Sequence, residues 1–156
     1  MSTTPLDPMA ALRESHDAWR LEAHDHPTLE VPEQVKQIRC ALIEEEAAEF
    51  RTAVEAGDLV EVADAIADLL YVVYGAALTF GIPADEVFAE VHRSNMTKLG
   101  SDGLPIYRDD GKVLKGPHYS PPELLPILAR HASDPAQVER WALRHGERHG
   151  GLTSSS

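Results

Sequence analysis

Cysteine occurs once, at Cys40. A chain with a single thiol forms no internal disulfide and offers no cysteine cluster for zinc or iron. Aromatic residues make up only 6% of the 156 residues. Basic residues are scarce as well: 14 lysines and arginines stand against 26 acids, for a net charge of −12. A surface of that sign repels phosphate backbones and anionic lipid, so neither nucleic acid nor a membrane is an expected partner. A small phosphorylated ligand is not excluded, because local charge decides there. No N-terminal apolar run resembles a signal peptide, and no apolar stretch reads as long enough to span a bilayer, which leads to the expectation of a cytoplasmic protein. No histidine lies between His26 and His92. That gap counts against a di-iron carboxylate bundle, which needs Glu-x-x-His on its helices.

What remains is helix-forming. The chain is 43% hydrophobic and its middle is rich in alanine, which suits closely packed helices. The length predicts one all-α domain over residues 1–149, followed by a disordered tail at 150–156. Asp7-Pro8 reads as an N-cap and first helical residue, with a helix to about Leu21. Glu22 to Pro32 reads as a linker whose His24 and His26 are solvated. A second helix is expected from near Pro32 to Ala56, stopped by Gly57, and a third from Asp58 to Phe80. A connection this short makes the two antiparallel neighbours. Pro83 opens a fourth helix, expected to reach about Leu99. A small hairpin around Asp109-Asp110-Gly111 should follow, over Leu104 to Lys115. Two more helices are expected, from Pro122 to about Arg130 and from Pro135 to about Arg148.

The helical pair concentrates acid. Between Ala41 and Phe80 there are nine acids and one base, Arg51. At about 100° per residue, Glu45, Glu46 and Glu49 share an arc of roughly 100°, and Glu61, Asp64 and Asp68 one of about 60°. Each set continues an apolar stripe, through Ile38 and Leu42 in one helix and Val72 and Gly75 in the other. Both sets are therefore expected on inward faces, at matching heights across the hairpin. A run such as Glu44-Glu45-Glu46 is ordinarily a solvated helix face. Here too few bases exist to pair with it. Crowded carboxylates repel and resist desolvation, and a hard divalent cation relieves both costs. Mg2+ is the expected cofactor, with Mn2+ as a substitute.

The bases cluster elsewhere. Three of the four lysines, Lys98, Lys112 and Lys115, fall within eighteen residues, alongside Arg93 and Arg108. Such a segment is either a solubilising loop or a positive lid over anionic groups. Acids that hold a cation and bases that hold phosphate oxygens are the two halves of a polyphosphate site. In the first helix His16 and Trp19 sit at core spacing with Met9 and Leu12. They are also candidates for contact with a nucleotide base.

The Glu45-Glu46-x-x-Glu49 set, with an acidic cluster ending in Asp68-Leu69-Leu70-Tyr71, resembles the all-α nucleoside triphosphate pyrophosphohydrolases: the MazG-like, dimeric dUTPase-like and phosphoribosyl-ATP pyrophosphohydrolase-like proteins. His92-Arg93-Ser94-Asn95-Met96-Thr97-Lys98 and Asp110-Gly111-Lys112-Val113-Leu114-Lys115-Gly116-Pro117 resemble the corresponding stretches of the MazG-like, phosphoribosyl-ATP-pyrophosphohydrolase-like branch. The resemblance covers roughly Ile38 to Pro122. One position departs from it: many relatives carry Glu three residues before the Asp of Asp-Leu-Leu-Tyr, where this chain has Ala65. Either Glu61-x-x-Asp64 is the motif, or Asp68 is its Asp and Asp64 or Glu61 supplies the missing carboxylate.

The resemblance implies hydrolysis of a (deoxy)nucleoside triphosphate, dUTP among the candidates, to the monophosphate and pyrophosphate. It implies at least a homodimer, with the helical bundle completed by the second chain. Metal ligands would come from Glu45, Glu46, Glu49, Glu61, Asp64 and Asp68, with Glu45 or Glu46 also acting on the attacking water. Arg93, Asn95, Lys98, Lys112, Lys115 and Tyr119 would bind substrate. The alternatives are phosphoribosyl-ATP as substrate, or a helical dimer that binds nucleotide or metal without turnover.

Overall fold

Asp7 begins the first helix by the chemistry its sequence announces. Its Oδ1 accepts from the backbone N–H groups of Met9 at 3.0 Å and Ala10 at 3.4 Å, and Pro8 stands at the first helical position. In the computed structural model, which describes residues 5–150, α1 spans Pro8–Trp19, α2 Glu33–Ala56, α3 Leu59–Thr79, α4 Ala84–Met96, α5 Leu124–His131 and α6 Pro135–Gly150. Of the tail expected at 150–156, Gly150 instead closes α6, and residues 151–156 lie outside the described residues. Two compact units result, one up to Ile82 and one from Pro83.

In the first unit α3 packs mainly on α2 and then on α1. The α2–α3 turn is only Gly57-Asp58. Gly57 takes φ 70, a left-handed conformation that costs glycine little. Asp58 caps α3 by accepting from Val60 N at 3.0 Å and Glu61 N at 3.2 Å. Ala53 and Ala65 are buried on the two helices, and side chains this small permit close approach.

The solvated reading of the linker holds for His26, which is exposed, but not for residues 22–28 as a whole. They form a strap across the C-terminal end of α3, where helix carbonyls lack partners. His24 N donates to Leu78 O at 3.0 Å and Thr28 N to Phe80 O at 3.0 Å. His24 also pairs with Glu22 at 2.9 Å. Gly81, at φ 63, lies against the strap: a Cβ there would stand 2.1 Å from His26 O.

By length and composition α3 is long and apolar enough to cross a membrane, which corrects the reading that no stretch is. In this fold the helix packs on α1 and α2 and carries Glu61, Asp64 and Asp68.

In the second unit α5 packs on α4 and on α6. α4 ends at Met96, sooner than expected. Thr97 N and Thr97 Oγ1 both donate to Ser94 O, and Lys98 N donates to Asn95 O, so the last turn tightens and stops. The expected hairpin is reduced to one antiparallel bridge, Tyr107 with Val113, and no strand forms among the described residues. Arg108 N donates to Lys112 O and Leu114 N to Ile106 O. Residues 101–115 are exposed throughout, so their apolar arms have no surface to pack on and pairing does not propagate. The base of this loop is tied by Gly116 N to Lys98 O at 3.0 Å. A Cβ at Gly116 would lie 2.1 Å from Leu99 O, so the close approach requires glycine.

Candidate functional site

The α2–α3 hairpin brings the acids of both helices into one neighbourhood. Glu49, Glu61 and Asp64 line an open cleft of about 320 Å³ whose floor includes Ala53 and Ala65. Glu46 lies half-buried, with Oε2 shielded from solvent and without a hydrogen-bond partner. Desolvation pushes its pKa above the usual carboxylate range, and the charges of Glu49, Asp68, Glu45 and Asp64 push it the same way. The expectation that both acidic sets point inward holds only for Glu46. Glu45, Glu49, Glu61, Asp64 and Asp68 are exposed, because the seam between α2 and α3 is filled by alanines and leaves the longer acidic side chains at its margin.

Oxygen donors crowded around an orphaned carboxylate oxygen fit a hard divalent cation in chemistry. They are not preassembled for one. Among the described residues no three His, Cys, Asp or Glu side chains group at metal-binding spacing. Five of the six acids are exposed, so changing their rotamers meets little packing resistance. Ala65 is 5% exposed; a carboxylate at that position would start from the floor of the cleft.

Trp19 and Tyr71 extend the site along α3. Their ring centroids lie 6.4 Å apart at 46°, while Trp19 remains 62% and Tyr71 40% exposed. Tyr71 is one turn beyond Asp68. It was missed as a partner for Trp19 because the two are 52 positions apart in sequence. His16, one turn before Trp19, is buried with its ring nitrogens directed at Glu22 O and Arg39; the helical spacing with Leu12 was the signal for that core placement.

The basic candidates belong to the second unit. Arg93 is engaged: it pairs with Glu90 at 2.8 Å and donates to Ser120 Oγ and Pro121 O. That pairing, together with the Glu123 N–H, draws the Glu90 carboxyl down to about 2. Arg93 therefore staples α4 to the 120–121 segment. Lys115 Nζ sits 4.5 Å from the Tyr119 ring centroid, a cation–π contact. Lys112 and Asn95 are exposed and Lys98 is half-buried. Arg108 pairs with Asp110 inside the loop.

A second cleft, of about 520 Å³, lies between α4 and α5, lined by Glu86, Glu90, Arg93, Glu123, Ile127 and Arg130. Glu86 binds Arg130 and His131 at 2.7 Å each, which holds its pKa down. The i,i+4 spacing of Glu86 and Glu90 was the sequence signal for these carboxylates. Arg93, partner of Glu90, lies three positions on, while the Glu86 partners Arg130 and His131 lie 44 and 45 positions away and carried no signal.

The sequence pattern of the phosphoribosyl-ATP pyrophosphohydrolase family matches residues 12–95, more than half of the chain and the whole acidic hairpin. The chain belongs to that family. It thereby joins the all-α nucleoside triphosphate pyrophosphohydrolases, as its acidic motifs imply. The family match begins at Leu12, so the part of α1 that carries His16 and Trp19 is in the shared pattern, and it ends at Asn95, before Lys98, Lys112 and Lys115. Uncharacterized protein L479 of Acanthamoeba polyphaga mimivirus is 37% identical over 86 residues, which is 55% of this chain and 32% of that protein. The chain thus spans about a third of the length of that relative. A crystal structure from Exiguobacterium sp. 255-15, of a protein provisionally named an NTP pyrophosphohydrolase, is 23% identical, with a TM-score of 0.40 over 94% of this chain and 99% of that one.

Proposed function

We propose that this pyrophosphohydrolase-family chain hydrolyses a (deoxy)nucleoside triphosphate, dUTP among them, between the α and β phosphates, with a divalent cation as cofactor. The observation that carries the reading is the unpartnered Glu46 Oε2 among Glu45, Glu49, Asp64 and Asp68. A carboxylate left so costs stability without return unless something positive completes it. Glu46, Glu49, Asp64 and Asp68 would hold Mg2+ or Mn2+, with Glu61 reaching it from the cleft in place of a carboxylate at Ala65. When bound, the cation neutralises phosphate oxygens and acidifies water.

The chain's own groups do the rest. Exposed Glu45 takes the proton of the attacking water. Lys98, Lys112 and Lys115 offset charge on the leaving pyrophosphate, and Asn95 and Tyr119 donate hydrogen bonds to substrate oxygens. Arg93, already spent on Glu90, acts by holding α4 to the 120–121 segment. Trp19 and Tyr71 offer an aromatic face to the base. A second copy of the chain covers the apolar groove of about 310 Å³ lined by Phe50, Ile66, Leu69, Leu70 and Val73, which makes the working form a homodimer or higher homo-oligomer.

Phosphoribosyl-ATP is the second reading, favoured by the family description itself. One assay separates the two: ion chromatography of the products from a nucleotide panel that includes dUTP and phosphoribosyl-ATP, with Mg2+ and with chelator. Pyrophosphate and a nucleoside monophosphate formed only with the cation are expected. Orthophosphate instead of pyrophosphate, or turnover undiminished in chelator, would overturn the proposal.

A further inference from the structure

His16 and Arg39 form a polar cluster buried among α1, α2, α3 and the strap. His16 is 1% and Arg39 8% exposed. His16 Nδ1 lies 2.9 Å from the Glu22 carbonyl, which also accepts from Thr79 Oγ1 at 3.2 Å. A carbonyl only accepts, so Nδ1 carries the hydrogen and Nε2 keeps its lone pair. Arg39 Nη2 donates toward that lone pair at 3.4 Å. Arg39 has no carboxylate within ion-pair distance among the described residues, and its Nε is buried without a partner. Gly75 makes the room: a Cβ there would stand 3.1 Å from Arg39 Nη1 and 3.4 Å from His16 Nε2. The arrangement works only with neutral His16. A proton on Nε2 would face the guanidinium with nothing to accept it.

We propose that the His16–Arg39 pair is a proton-sensitive latch that positions Trp19, holding α1 docked while the imidazole is neutral and releasing it in acid. Trp19 sits one turn beyond His16 on α1, against Tyr71 of α3, so the latch sets the aromatic face. The inference rests on the first unit's packing and stands whether or not the chain hydrolyses nucleotides. The charged groups that face His16 are Arg13 and Asp17 on α1 and Arg39 on α2. The strap offers the Glu22 carbonyl, the Glu22 carboxylate being paired with His24, and α3 offers Gly75 and Thr79. Burial pushes the His16 pKa below its ordinary 6.5, helped by Arg39 and Arg13 and opposed by the Glu22 carbonyl and Asp17. The docked state then binds fewer protons than the released one. Docking is fully stable above pH 6.5 and weakens as pH falls below it, by up to about tenfold in equilibrium constant per pH unit.

The test uses the full chain with Trp141→Phe, which leaves Trp19 as the one indole. Trp19 emission, α1 amide exchange and the His16 ring resonances are followed from pH 8 to pH 5. The expected result is a red shift and an up to tenfold loss of α1 protection per unit below pH 6.5, measured relative to the intrinsic exchange rate at each pH, with the transition tracking the His16 titration and α2 and α3 amides still protected. His16→Gln should flatten the transition. Arg39→Gln should move its midpoint upward, and His24→Gln should leave it in place. A flat response in the parent chain, a Trp19 transition at a midpoint other than that of His16, or a transition that survives His16→Gln would overturn the latch. Should either variant at these two positions fail to fold, coincidence of the two midpoints in the parent chain decides alone.

Discussion

Glu46 is the residue on which the proposed chemistry turns, and its protonation carries a testable sign. Its folded pKa is raised by desolvation first and by neighbouring carboxylates second. The folded chain therefore binds this proton more readily than the unfolded chain does. In the absence of cation, stability from this group is fully present below the unfolded value of 4.5 and is lost as pH rises through the folded value. Glu46→Gln should accordingly melt higher than the parent at pH 7 in chelator, with the difference vanishing by pH 4, while pyrophosphate release falls by about a hundredfold or more. Equal melting temperatures at pH 7 would show that the charge is not crowded. At this scale the sequence was legible in part. The i,i+3 spacing of Glu46 and Glu49 placed them on one face, but which oxygen would be shut from water depends on how α3, with Asp64 and Asp68, packs across from it. Likewise Leu12, His16 and Trp19 announced a helix face, while the 23-position link from His16 to Arg39 left no trace in spacing.

The elements were readable wherever their ends are local. Asp7-Pro8, Gly57-Asp58 and Pro83 each act through neighbours within four positions, and α1, α2, α3 and α4 start or stop there as expected. The 104–115 hairpin failed because alternation specifies a strand only when one face is covered, and here none is. The strap was misread for the opposite reason: its partners, Leu78 O and Phe80 O, lie more than 50 positions away. Its weight can be measured with two glycines. Gly57→Ala meets open space at φ 70 and Gly81→Ala meets His26 O at 2.1 Å at φ 63. The first should cost about 1–2 kcal/mol, the expense of a left-handed alanine. The second adds displacement of the strap and should exceed it by at least about 1 kcal/mol in denaturant titration. Equal losses would mean that the strap gives way without penalty and is not a structural cap.

At the scale of the whole molecule, the first unit leaves apolar surface that its own helices do not cover. Ile66, Leu70 and Val73 are 45%, 52% and 44% exposed along one groove. A patch of this kind is what the proposed second copy of the chain would cover. Sedimentation at micromolar concentration should give a dimer or larger assembly, and Leu70→Asp should drive it to monomer with α2 and α3 still helical. A compact parent monomer active in nucleotide hydrolysis would refute the arrangement. The family relation was legible at this scale because it resides in one continuous acidic hairpin; the division into two units was not, since Gly81-Ile82-Pro83 reads like any other helix break.

The bond from Thr79 to the Glu22 carbonyl closes a circuit of 57 residues, whereas α2 and α3 meet across two. Chain entropy makes these unequal events. Pinning ends so far apart costs roughly 3–4 kcal/mol by loop-closure scaling, against almost nothing for the tight turn. The hairpin can therefore assemble early from local encounters, leaving α1 and the strap to arrive late and to leave first when the structure loosens. An order of assembly is thus written into the circuit: the carboxylates come together before the aromatic face is in place, and lifting α1 would remove Trp19 while the acidic hairpin stands.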